Sequence, residues 1–508
     1  MIALDQTQVT PLDPRVSTGV QGLDDILAGG LMANRLYLIE GQPGAGKTTF
    51  ALQFLLAGRA RGESGLYVTL SETEEELHAV ARSHGLTLDG IALFELASSK
   101  HALSAGQEQT LLHPWEVELG ETIKLITDKV EATDPTLVVF DSLSEMRLLA
   151  QDPLRYRRQI LALKQFFAGR NATVLLLDDM TASQERDLQL HSLCHGVVTL
   201  ERLSQRFGPA RRRLEVQKMR GIRFRAGFHD FNIEHGGLKV FPRLVAAEHH
   251  RPFVGAPVPS GVAALDALLN GGPLRGTSTL ITGPAGAGKT TLALQYIDAA
   301  CRRGERAVLY EFDERAGTLI TRAGKQGIDL DAHIAAERLV IKQVDPAELS
   351  PGEFDAMVRN EVETHGARMI VIDSLTGYAV SMPEEQQIVL QLHELLSYLN
   401  QQGVVTFLIN TQSGLVGGMQ SNGINVSFLS DAVLLLRFFE AGGRMRKALS
   451  VIKNRGGGHE DAIREVRFDE GGIRIGEPLT QFHGVLTGTP TYLGDGDPLL
   501  MERDKGYA

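Results

Sequence analysis

Two glycine-rich loops of the same pattern are the clearest chemical signals in this chain. Each satisfies G-x-x-x-x-G-K-[ST], once at residues 41–48 (GQPGAGKT) and once at residues 283–290 (GPAGAGKT). Glycines at this spacing let backbone N–H groups converge on phosphate oxygens, and the helix that follows directs its positive end at them. The lysine then reaches the terminal phosphates, and the threonine hydroxyl is offered to Mg²⁺. The sequence therefore predicts two sites for ATP with Mg²⁺.

The residues of these loops divide into backbone donors and reactive side chains. Lys47 and Lys289 are also catalytic candidates, because an ammonium group there can stabilise charge on the departing γ-phosphate. Thr48 and Thr290 are the expected Mg²⁺ ligands. A glycine turn that only caps a helix is the alternative, but both matches lie between a strand signal and a helix signal. The residues assigned to nucleotide binding are Gly41, Gly44, Ala45, Gly46, Lys47, Thr48 and Thr49 in the first loop and Gly283, Gly286, Ala287, Gly288, Lys289, Thr290 and Thr291 in the second.

One aspartate in each half of the chain ends an apolar run with the composition of a buried strand. Asp141 ends LVVFD and Asp373 ends MIVID, and each is followed by Ser-Leu. A carboxylate at the carboxyl end of a strand beside a phosphate loop can hold the water shell of Mg²⁺. The alternative is an aspartate that only starts a turn, and the two loops favour the first interpretation. Both aspartates are therefore assigned to nucleotide binding.

A second group of carboxylates follows another strand signal in each half. The segments are TLSE at residues 69–72 and EFDE at residues 311–314. A carboxylate at this edge of a sheet can polarise an attacking water or a hydroxyl nucleophile. The catalytic candidates are therefore Glu72, Asp313 and Glu314, and Asp313 is also a candidate Mg²⁺ ligand.

Helix capping is the competing interpretation of the first of these segments. Ser71 with Glu74, and Thr73 with Glu76, both fit the S/T-x-x-E pattern that starts a helix. Under this interpretation the acidic residues belong to the first turn of a helix and not to a reaction centre.

Pairs of cations recur late in each half. In LEVQKMR the alternation typical of a strand sends Lys218 and Arg220 to the same face. Lys453 and Arg455 repeat the arrangement, and His459, which follows them, is also assigned to nucleotide binding. An ion-pairing face is the alternative, but recurrence just before a glycine turn favours contact with phosphate. Because these cations lie far along the chain from their own loop, the nucleotide of a neighbouring subunit is a plausible target.

The elements that must position these residues occur twice. Residues 17–49 are repeated at 260–291. LVVFDS recurs as MIVIDS and LEVQKMRG as LSVIKNRG, all at a nearly constant offset along the chain. A period this long indicates duplicated domains and not a solenoid. We expect a first domain at residues 1–245 and a second at 246–508, with the linker within RLVAAEHHRPFVGAPVP at residues 243–259.

Strand and helix signals alternate in each domain. The strand signals are RLYLIE, GLYVTL, LVVFD and TVLLLD in the first and STLIT, AVLYEF, MIVID and TFLIN in the second. Strands that alternate with helices of ten or more residues imply a mostly parallel, twisted sheet between layers of helices. The predicted fold class is α/β, with two P-loop NTPase domains in tandem.

Together these motifs resemble the KaiC family, the two-domain RecA-like ATPases of the circadian clock and their bacterial relatives. The resemblance runs over roughly residues 15–493 and includes the opening S-T-G-x-x-G-L-D-x-x-L-x-G-G-L, the paired loops, D-S-L and K-x-R-G. It implies RecA-like domains in a double-ring homohexamer, with ATP between protomers and the K-x-R cations acting on the adjacent protomer's nucleotide. It also implies steady ATP hydrolysis in the first domain, serine/threonine autokinase activity in the second, and a KaiB-like or other signalling protein as partner.

Three departures from the family pattern change these expectations. The family has two adjacent acids in both domains, whereas Ser71 precedes Glu72 here, so we expect weaker hydrolysis in the first domain. Ser427 matches the phosphoserine and is the candidate phosphosite, but Phe428 stands where the family has its phosphothreonine, so a two-site cycle is not expected. The fifteen residues after LTQFHGVLTGTPTYL (479–493) do not match the clock protein's tail, so a clock function is not carried over.

Composition narrows the classes of function. The 508 residues are 43% hydrophobic and 22% charged, so the chain can bury large cores, and only two cysteines suit a reducing cytoplasm. No apolar run is long enough to span a membrane, and the amino terminus does not resemble a signal peptide. A net charge of −11 and 6% aromatic residues weigh against a RecA-like recombination or helicase motor on single-stranded DNA. A nucleotide-gated scaffold with negligible turnover stays an alternative to the oligomeric signalling ATPase.

Overall fold

The computed structural model describes residues 14–96, 114–150, 152–180, 188–205, 208–380, 385–412, 427–487 and 491–494. The chain divides into two compact units, Met1–Arg243 and Leu244–Ala508. The predicted linker began at residue 243, but Leu244 and Ala246 are buried in the core of the second unit. The start of this segment is thus part of the second unit, because its apolar side chains have a core to enter.

The first unit contains the following elements. Its strands are β1 (Arg15–Val16), β2 (Leu31–Met32), β3 (Leu36–Gly41), β4 (Gly65–Thr69), β5 (Ala92–Glu95), β6 (Leu137–Asp141), β7 (Thr173–Asp179), β8 (Gly196–Leu203), β9 (Arg211–Met219), β10 (Phe228–Glu234) and β11 (Gly237–Phe241). Its helices are α1 (Leu23–Ile26), α2 (Lys47–Ala60), α3 (Glu74–Ser83), α4 (Pro114–Thr133), α5 (Leu143–Ala150), α6 (Pro153–Ala168) and α7 (Leu188–Leu193).

The second unit repeats the series. Its strands are β12 (Ser278–Gly283), β13 (Ala307–Glu311), β14 (Leu339–Gln343), β15 (Met369–Asp373), β16 (Val405–Thr411), β17 (Ala432–Ala441), β18 (Arg444–Asn454), β19 (Arg464–Asp469), β20 (Gly472–Pro478), β21 (Phe482–His483) and β22 (Thr491–Tyr492). Its helices are α8 (Ala263–Leu268), α9 (Lys289–Arg302), α10 (Ala316–Gly324), α11 (Leu330–Ala335), α12 (Pro351–Glu363), α13 (Leu375–Val380) and α14 (Glu385–Gln401), with 3₁₀ turns at Ala246–Glu248 and Val485–Thr487.

Each unit is built on one nine-stranded sheet of the same topology. The strand order is β11-β10-β9-β8-β3-β7-β6-β4-β5 in the first and β14-β13-β15-β16-β12-β17-β18-β19-β20 in the second. The strands from β8 to β5 are parallel to one another, while β9, β10 and β11 form an antiparallel edge, and the second sheet is arranged in the same way. The predicted fold class, a mostly parallel sheet between helices in each domain, is confirmed.

The continuous apolar strands are explained by burial on both faces of the sheet. In β3, Ile39 packs into the cluster that contains Phe50 and Leu52 of α2. The neighbouring Leu38 packs on the opposite face, into the cluster that contains Ile160 of α6. A strand covered on both sides has no solvent face, so it reads as an uninterrupted hydrophobic run.

This topology brings the carboxyl ends of the central strands to one edge. In the first sheet Gly41 is paired with Asp179, and Thr69 with Asp141. In the second, Glu311 is paired with Asp373. Ligands of open α/β sheets bind at this edge. Within the described ranges, no helix combines the length and the apolar character needed to cross a lipid bilayer.

Candidate nucleotide sites

The phosphate loop of the first unit joins β3 to α2. Gly44 and Gly46 have φ values of 75° and 109°, in the left-handed region that favours glycine. A Cβ on Gly44 would meet nothing within 4 Å, so the loop is open on that side. The N-cap of α2, Gly46, has no side-chain cap, which leaves the N–H groups of the first turn directed at the loop. This arrangement fits the phosphates of a nucleotide.

The loop of the second unit, between β12 and α9, has the same backbone. Gly286 and Gly288 have φ values of 77° and 107°, and α9 also begins at its lysine without a side-chain cap. A Cβ on Gly288 would lie 2.3 Å from the ring of Phe468, so a larger residue is excluded there. Behind the loops Ala45 and Ala287 are fully buried, and Thr49 and Thr291 are nearly so.

The two loop lysines have different partners. Lys47 donates to the carbonyls of Gly41 at 2.9 Å and Gln42 at 3.2 Å, and its ammonium group lies 2.6 Å from Asp179 Oδ1. Lys289 donates to the carbonyl of Pro284 at 2.9 Å. Burial lowers the pKa of Lys289, and Asp373 and Asp313 act in the opposite direction. The lysine of the first site is therefore held by a carboxylate, and that of the second by a backbone carbonyl.

A hydroxyl and a carboxylate lie together beside each loop. Thr48 Oγ1 is 3.3 Å from Asp141 Oδ2, and Thr290 Oγ1 is 2.6 Å from Asp373 Oδ2. Burial raises the pKa of both carboxyls, that of Asp373 to about 6. In the first site the hydroxyl of Tyr67 also donates to Asp141, at 2.5 Å. Hydroxyl and carboxylate oxygens are ligands that Mg²⁺ prefers, so this donor set fits the ion.

The capping interpretation of the first acidic segment is correct for one of its two pairs. Thr73 is the N-cap of α3 and forms a capping box with Glu76. The pairing of Ser71 with Glu74 is wrong. A helix capped by Ser71 would begin at Glu72, whereas α3 begins at Glu74. Glu72 precedes the capping box and takes no part in it.

Glu72 is held at the edge of the sheet by the end of β4. The hydroxyl of Thr69 donates to the carbonyl of Glu72 at 2.7 Å and accepts from its N–H at 2.9 Å. Burial raises the pKa of the Glu72 carboxyl, with Asp141 adding to the effect. Its Oε2 is buried without a hydrogen-bond partner among the described residues. The structure thus brings Glu72 close to the loop lysine and to Asp141, where a carboxylate can act on a water.

The side chains of the acidic pair of the second unit make two contacts, and a further acid binds the backbone of the pair. Asp313 Oδ2 accepts from the hydroxyl of Ser374 at 2.5 Å, and Glu314 is paired with Arg322 at 2.7 Å. Glu311, two residues before Asp313, accepts from the backbone N–H of Glu314 at 2.9 Å and of Asp313 at 3.3 Å. Burial, with Asp373 beside it, raises the pKa of Glu311 to about 8.

A cleft of about 250 Å³ lies against the second loop. Its lining includes four residues that the sequence analysis did not identify, namely Arg322, Gln326, Lys447 and Phe468. The Lys447 ammonium group is 5.1 Å from the centre of the Phe468 ring. The only sequence signal for Lys447 is its position on the strand that also carries Lys453. Its counterpart by strand register is Arg212, which belongs to the basic run at residues 211–213.

The K-x-R cations and the loop of their own unit lie at opposite ends of the parallel strands. The loop follows the carboxyl end of its strand, and the cations lie towards the amino ends. Lys218 is paired with Val197, which is paired with Leu38 near the start of β3, whereas the loop follows Gly41. Lys453 is paired in the same way with Val433, next to Leu280 of β12. The structure therefore does not bring these cations to the loop of their own unit.

Backbone carbonyls hold the cations at that end of the strands. Lys218 donates to the carbonyls of His191 and Cys194, and Arg220 donates to that of Ser192 at 2.9 Å. The two side chains thus reach the end of the same short helix, and a β-bulge at Gln217 interrupts the strand alternation from which the sequence predicts a shared face.

In the second unit Lys453 holds the turn that carries the candidate phosphosite. It donates to the carbonyls of Ser427 at 2.9 Å and Ser430 at 2.5 Å. Arg455 and His459 are exposed in the segment after β18. Ser427 is exposed, and residues 422–426 of its segment lie outside the described residues.

Comparison with known proteins matches both repeats to one family. The family model described as "ATPase: KaiC" matches residues 16–245 and again residues 258–480. The chain is 29% identical over 501 residues to the circadian clock oscillator protein KaiC of Picosynechococcus sp., covering 96% of this chain and 95% of that protein. It is 29% identical over 489 residues to the protein of the same name from Synechococcus elongatus, covering 94% and 92%. To the circadian clock protein KaiC3 of Synechocystis sp. it is 27% identical over 498 residues, covering 95% and 96%.

Proposed function

The chain belongs to the KaiC family of ATPases, and we propose that it acts as a ring in which adjacent protomers share each nucleotide. One protomer supplies the phosphate loop. The next supplies Lys218 and Arg220 to the site of the first unit, or Lys453, Arg455 and His459 to the site of the second. The proposed ring is a homohexamer that binds ATP with Mg²⁺.

The position of the cations carries this proposal. In each unit the loop lies at one end of the parallel strands and the K-x-R pair towards the other, at the level of Leu38 in the first unit and Leu280 in the second. About 10 Å of strand separates each level from the loop, at about 3.3 Å per residue. A molecule with complementary groups at opposite ends associates head to tail, and a head-to-tail contact that closes forms a ring.

Within each proposed site the side chains have separate tasks. Lys47 and Lys289 hold the terminal phosphate and stabilise its charge as it leaves. The pairs Thr48 with Asp141 and Thr290 with Asp373, joined by Asp313 in the second site, supply oxygen ligands on the loop side. Bound Mg²⁺ would neutralise charge on the β- and γ-phosphates. Glu72 in the first site and Glu314 in the second orient the attacking nucleophile, for which their placement at the sheet edge is suited.

We further propose autokinase activity in the second unit, with Ser427 as the acceptor. Ser427 is exposed, whereas Ser430 in the same described turn is fully buried and unavailable to a nucleotide. Phe428, which is 53% exposed, has no hydroxyl to accept a phosphoryl group. The proposal is therefore one phosphorylated serine in this turn.

The proposed partners are further copies of the chain and a KaiB-like or other signalling protein. Nucleic acid is not a proposed partner, because in the basic run Arg213 is already paired with Glu201 at 2.7 Å. The proposed location is the cytoplasm, since the two cysteines are free thiols and both are buried.

Native mass spectrometry with and without Mg-ATP tests the ring, and phosphate release with γ-labelled ATP tests the chemistry. We expect six-subunit rings with Mg-ATP, steady release of phosphate, and label on Ser427. In the Lys289→Ala protein we expect no nucleotide in the second unit and no label, because the loop loses its only charged phosphate contact. A protein that remains monomeric in saturating Mg-ATP would contradict the proposed ring. Bound nucleotide with negligible phosphate release would instead indicate a nucleotide-gated scaffold.

A further inference from the structure

Glu311 is a buried acid in the second unit whose role the motifs do not explain. It is the last residue of β13 and is only 2% exposed. Its Oε1 accepts from the N–H groups of both Asp313 and Glu314. Its Oε2 is buried and has no hydrogen-bond partner among the described residues. Burial of a carboxyl group costs free energy, which hydrogen bonds offset only in part here because Oε2 has none among the described residues. The two hydrogen bonds that Oε1 accepts therefore indicate a role for this side chain.

We propose that Glu311 is a positioning residue of the second site, which holds the backbone of the acidic pair so that Asp313 and Glu314 face the nucleotide. This inference rests on the proposed catalytic role of the pair.

The surroundings of Glu311 place it against the reactive edge. β13 lies beside β15, so that Glu311 is paired directly with Asp373. Glu311 shares a face of the sheet with Leu309, which packs in the same cluster as Leu292 of α9. Its carboxyl therefore lies on the face of the sheet that packs against the helix following the phosphate loop.

Fixing two consecutive N–H groups fixes the direction of the side chains they carry. With both N–H groups directed at Glu311, the Asp313 carboxylate reaches Ser374 at 2.5 Å and the Glu314 carboxylate reaches Arg322 at 2.7 Å. Ser374 follows Asp373, and Arg322 lines the cleft beside the loop. The two acids thus diverge, one towards the metal side and one towards the cleft.

The first unit performs the same task with a different residue. Thr69 occupies the equivalent position, because it is paired with Asp141 as Glu311 is paired with Asp373. Its hydroxyl binds both the N–H and the carbonyl of Glu72. In both units the last residue of this strand therefore holds the acidic segment. The longer glutamate is suited to reach two N–H groups, as a pair of acids requires.

Steady-state phosphate release, measured over a range of ATP concentrations, tests the inference. All variants carry Glu72→Gln, so that the release reports on the second unit while the first still binds nucleotide. We expect Glu311→Ala to lower kcat about tenfold with KM within about twofold of the parent, because a misdirected carboxylate affects the transition state more than binding. We expect Glu311→Gln to keep kcat within about twofold, because its amide oxygen accepts the same two N–H groups.

Two controls separate positioning from general loss of structure. Thermal unfolding and native mass spectrometry establish that each variant is folded and assembled. If Glu311→Ala does not fold, Glu311→Met, which has a similar volume and no oxygen acceptor, must show the same loss of kcat.

The outcomes that overturn the inference are distinct from those that overturn the proposed function. Glu311→Ala with an unchanged kcat, Glu311→Gln falling as far as Glu311→Ala, or a KM change that accounts for the whole loss would each reject a positioning role. Glu314→Gln is the separate test of the acidic pair. If that variant releases phosphate at the parent rate, the proposed catalytic role fails, whatever Glu311 does.

Discussion

The two nucleotide sites share one backbone but distribute their charges differently. In the first, Asp179 at the end of β7 forms an ion pair with Lys47. In the second, the equivalent residue is Thr411, and Lys289 donates to a backbone carbonyl. The lysine of the first site thus forms an ion pair with an acid whose equivalent in the second site is an uncharged threonine.

The carboxylates proposed to orient the nucleophile also differ between the two sites. The first site has Glu72 alone after Ser71, with Thr69 holding it. The second has two adjacent acids, held by Glu311. The comparison teaches that a duplicated domain can keep the pattern of its phosphate loop while the ends of the neighbouring strands carry different charged groups.

The largest expected effect comes from removing the nucleophile-orienting acid of each site in turn. Glu72→Gln and Glu314→Gln should each lower phosphate release from their own unit by about 100-fold, because a positioned carboxylate contributes about that much. In the full chain we expect Glu314→Gln to remove the larger share of total release, because the second site has the complete acidic pair. Initial rates of phosphate release with saturating Mg-ATP measure both shares. A larger loss of total phosphate release with Glu72→Gln than with Glu314→Gln would show that the first site, and not the second, is the more active.

The ion pair of Lys47 gives an intermediate effect. Asp179→Thr, which copies the second site, should tighten nucleotide binding by the first unit about fivefold, because a partly exposed ion pair of this kind is worth about 1 kcal/mol. The reciprocal Thr411→Asp should weaken binding by the second unit by a similar factor. Titration calorimetry, with the other unit prevented from binding by substitution of its loop lysine with alanine, measures each site separately. Equal affinities before and after Asp179→Thr would show that the ion pair does not compete with nucleotide.

The sequence predicts the shared part of these sites better than the part that differs. The loops, Asp141 and Asp373 are identified because each motif is contiguous and follows an apolar strand. Asp179 also follows an apolar run, but its contact with Lys47 arises only because β7 lies next to β3 in the sheet. Strand order depends on packing over the whole unit, and a single sequence does not specify it.

The same reasoning explains what was missed at the edges. Lys447 and Phe468 belong to the antiparallel strands, whose register across β17 to β19 decides which side chains reach the cleft. Glu311 lies in the acidic segment at residues 311–314, but the sequence does not specify its two hydrogen bonds to the following loop. The K-x-R pairs were found from their recurrence, but only the topology shows that they lie away from their own loop.

The last prediction concerns stability and not nucleotide binding or turnover, through a tyrosine whose equivalent in the second unit is a leucine. Tyr67→Phe removes the hydroxyl that donates to Asp141, and Leu309 occupies the equivalent position in the second unit. We expect a loss of about 1.5 kcal/mol in the stability of the first unit, because a buried hydrogen bond to a carboxylate contributes about that much. Hydrogen exchange followed by mass spectrometry measures the stability of each unit separately.

The second unit offers a matched control for this substitution. Tyr310 is fully buried, and its hydroxyl has no hydrogen-bond partner among the described residues. Tyr310→Phe should therefore leave the stability of its unit unchanged or slightly raised, since it removes a buried polar group that is not satisfied. If both substitutions cost the same, burial and not the contact with Asp141 sets the effect. The additional hydroxyl would then not distinguish the first site from the second.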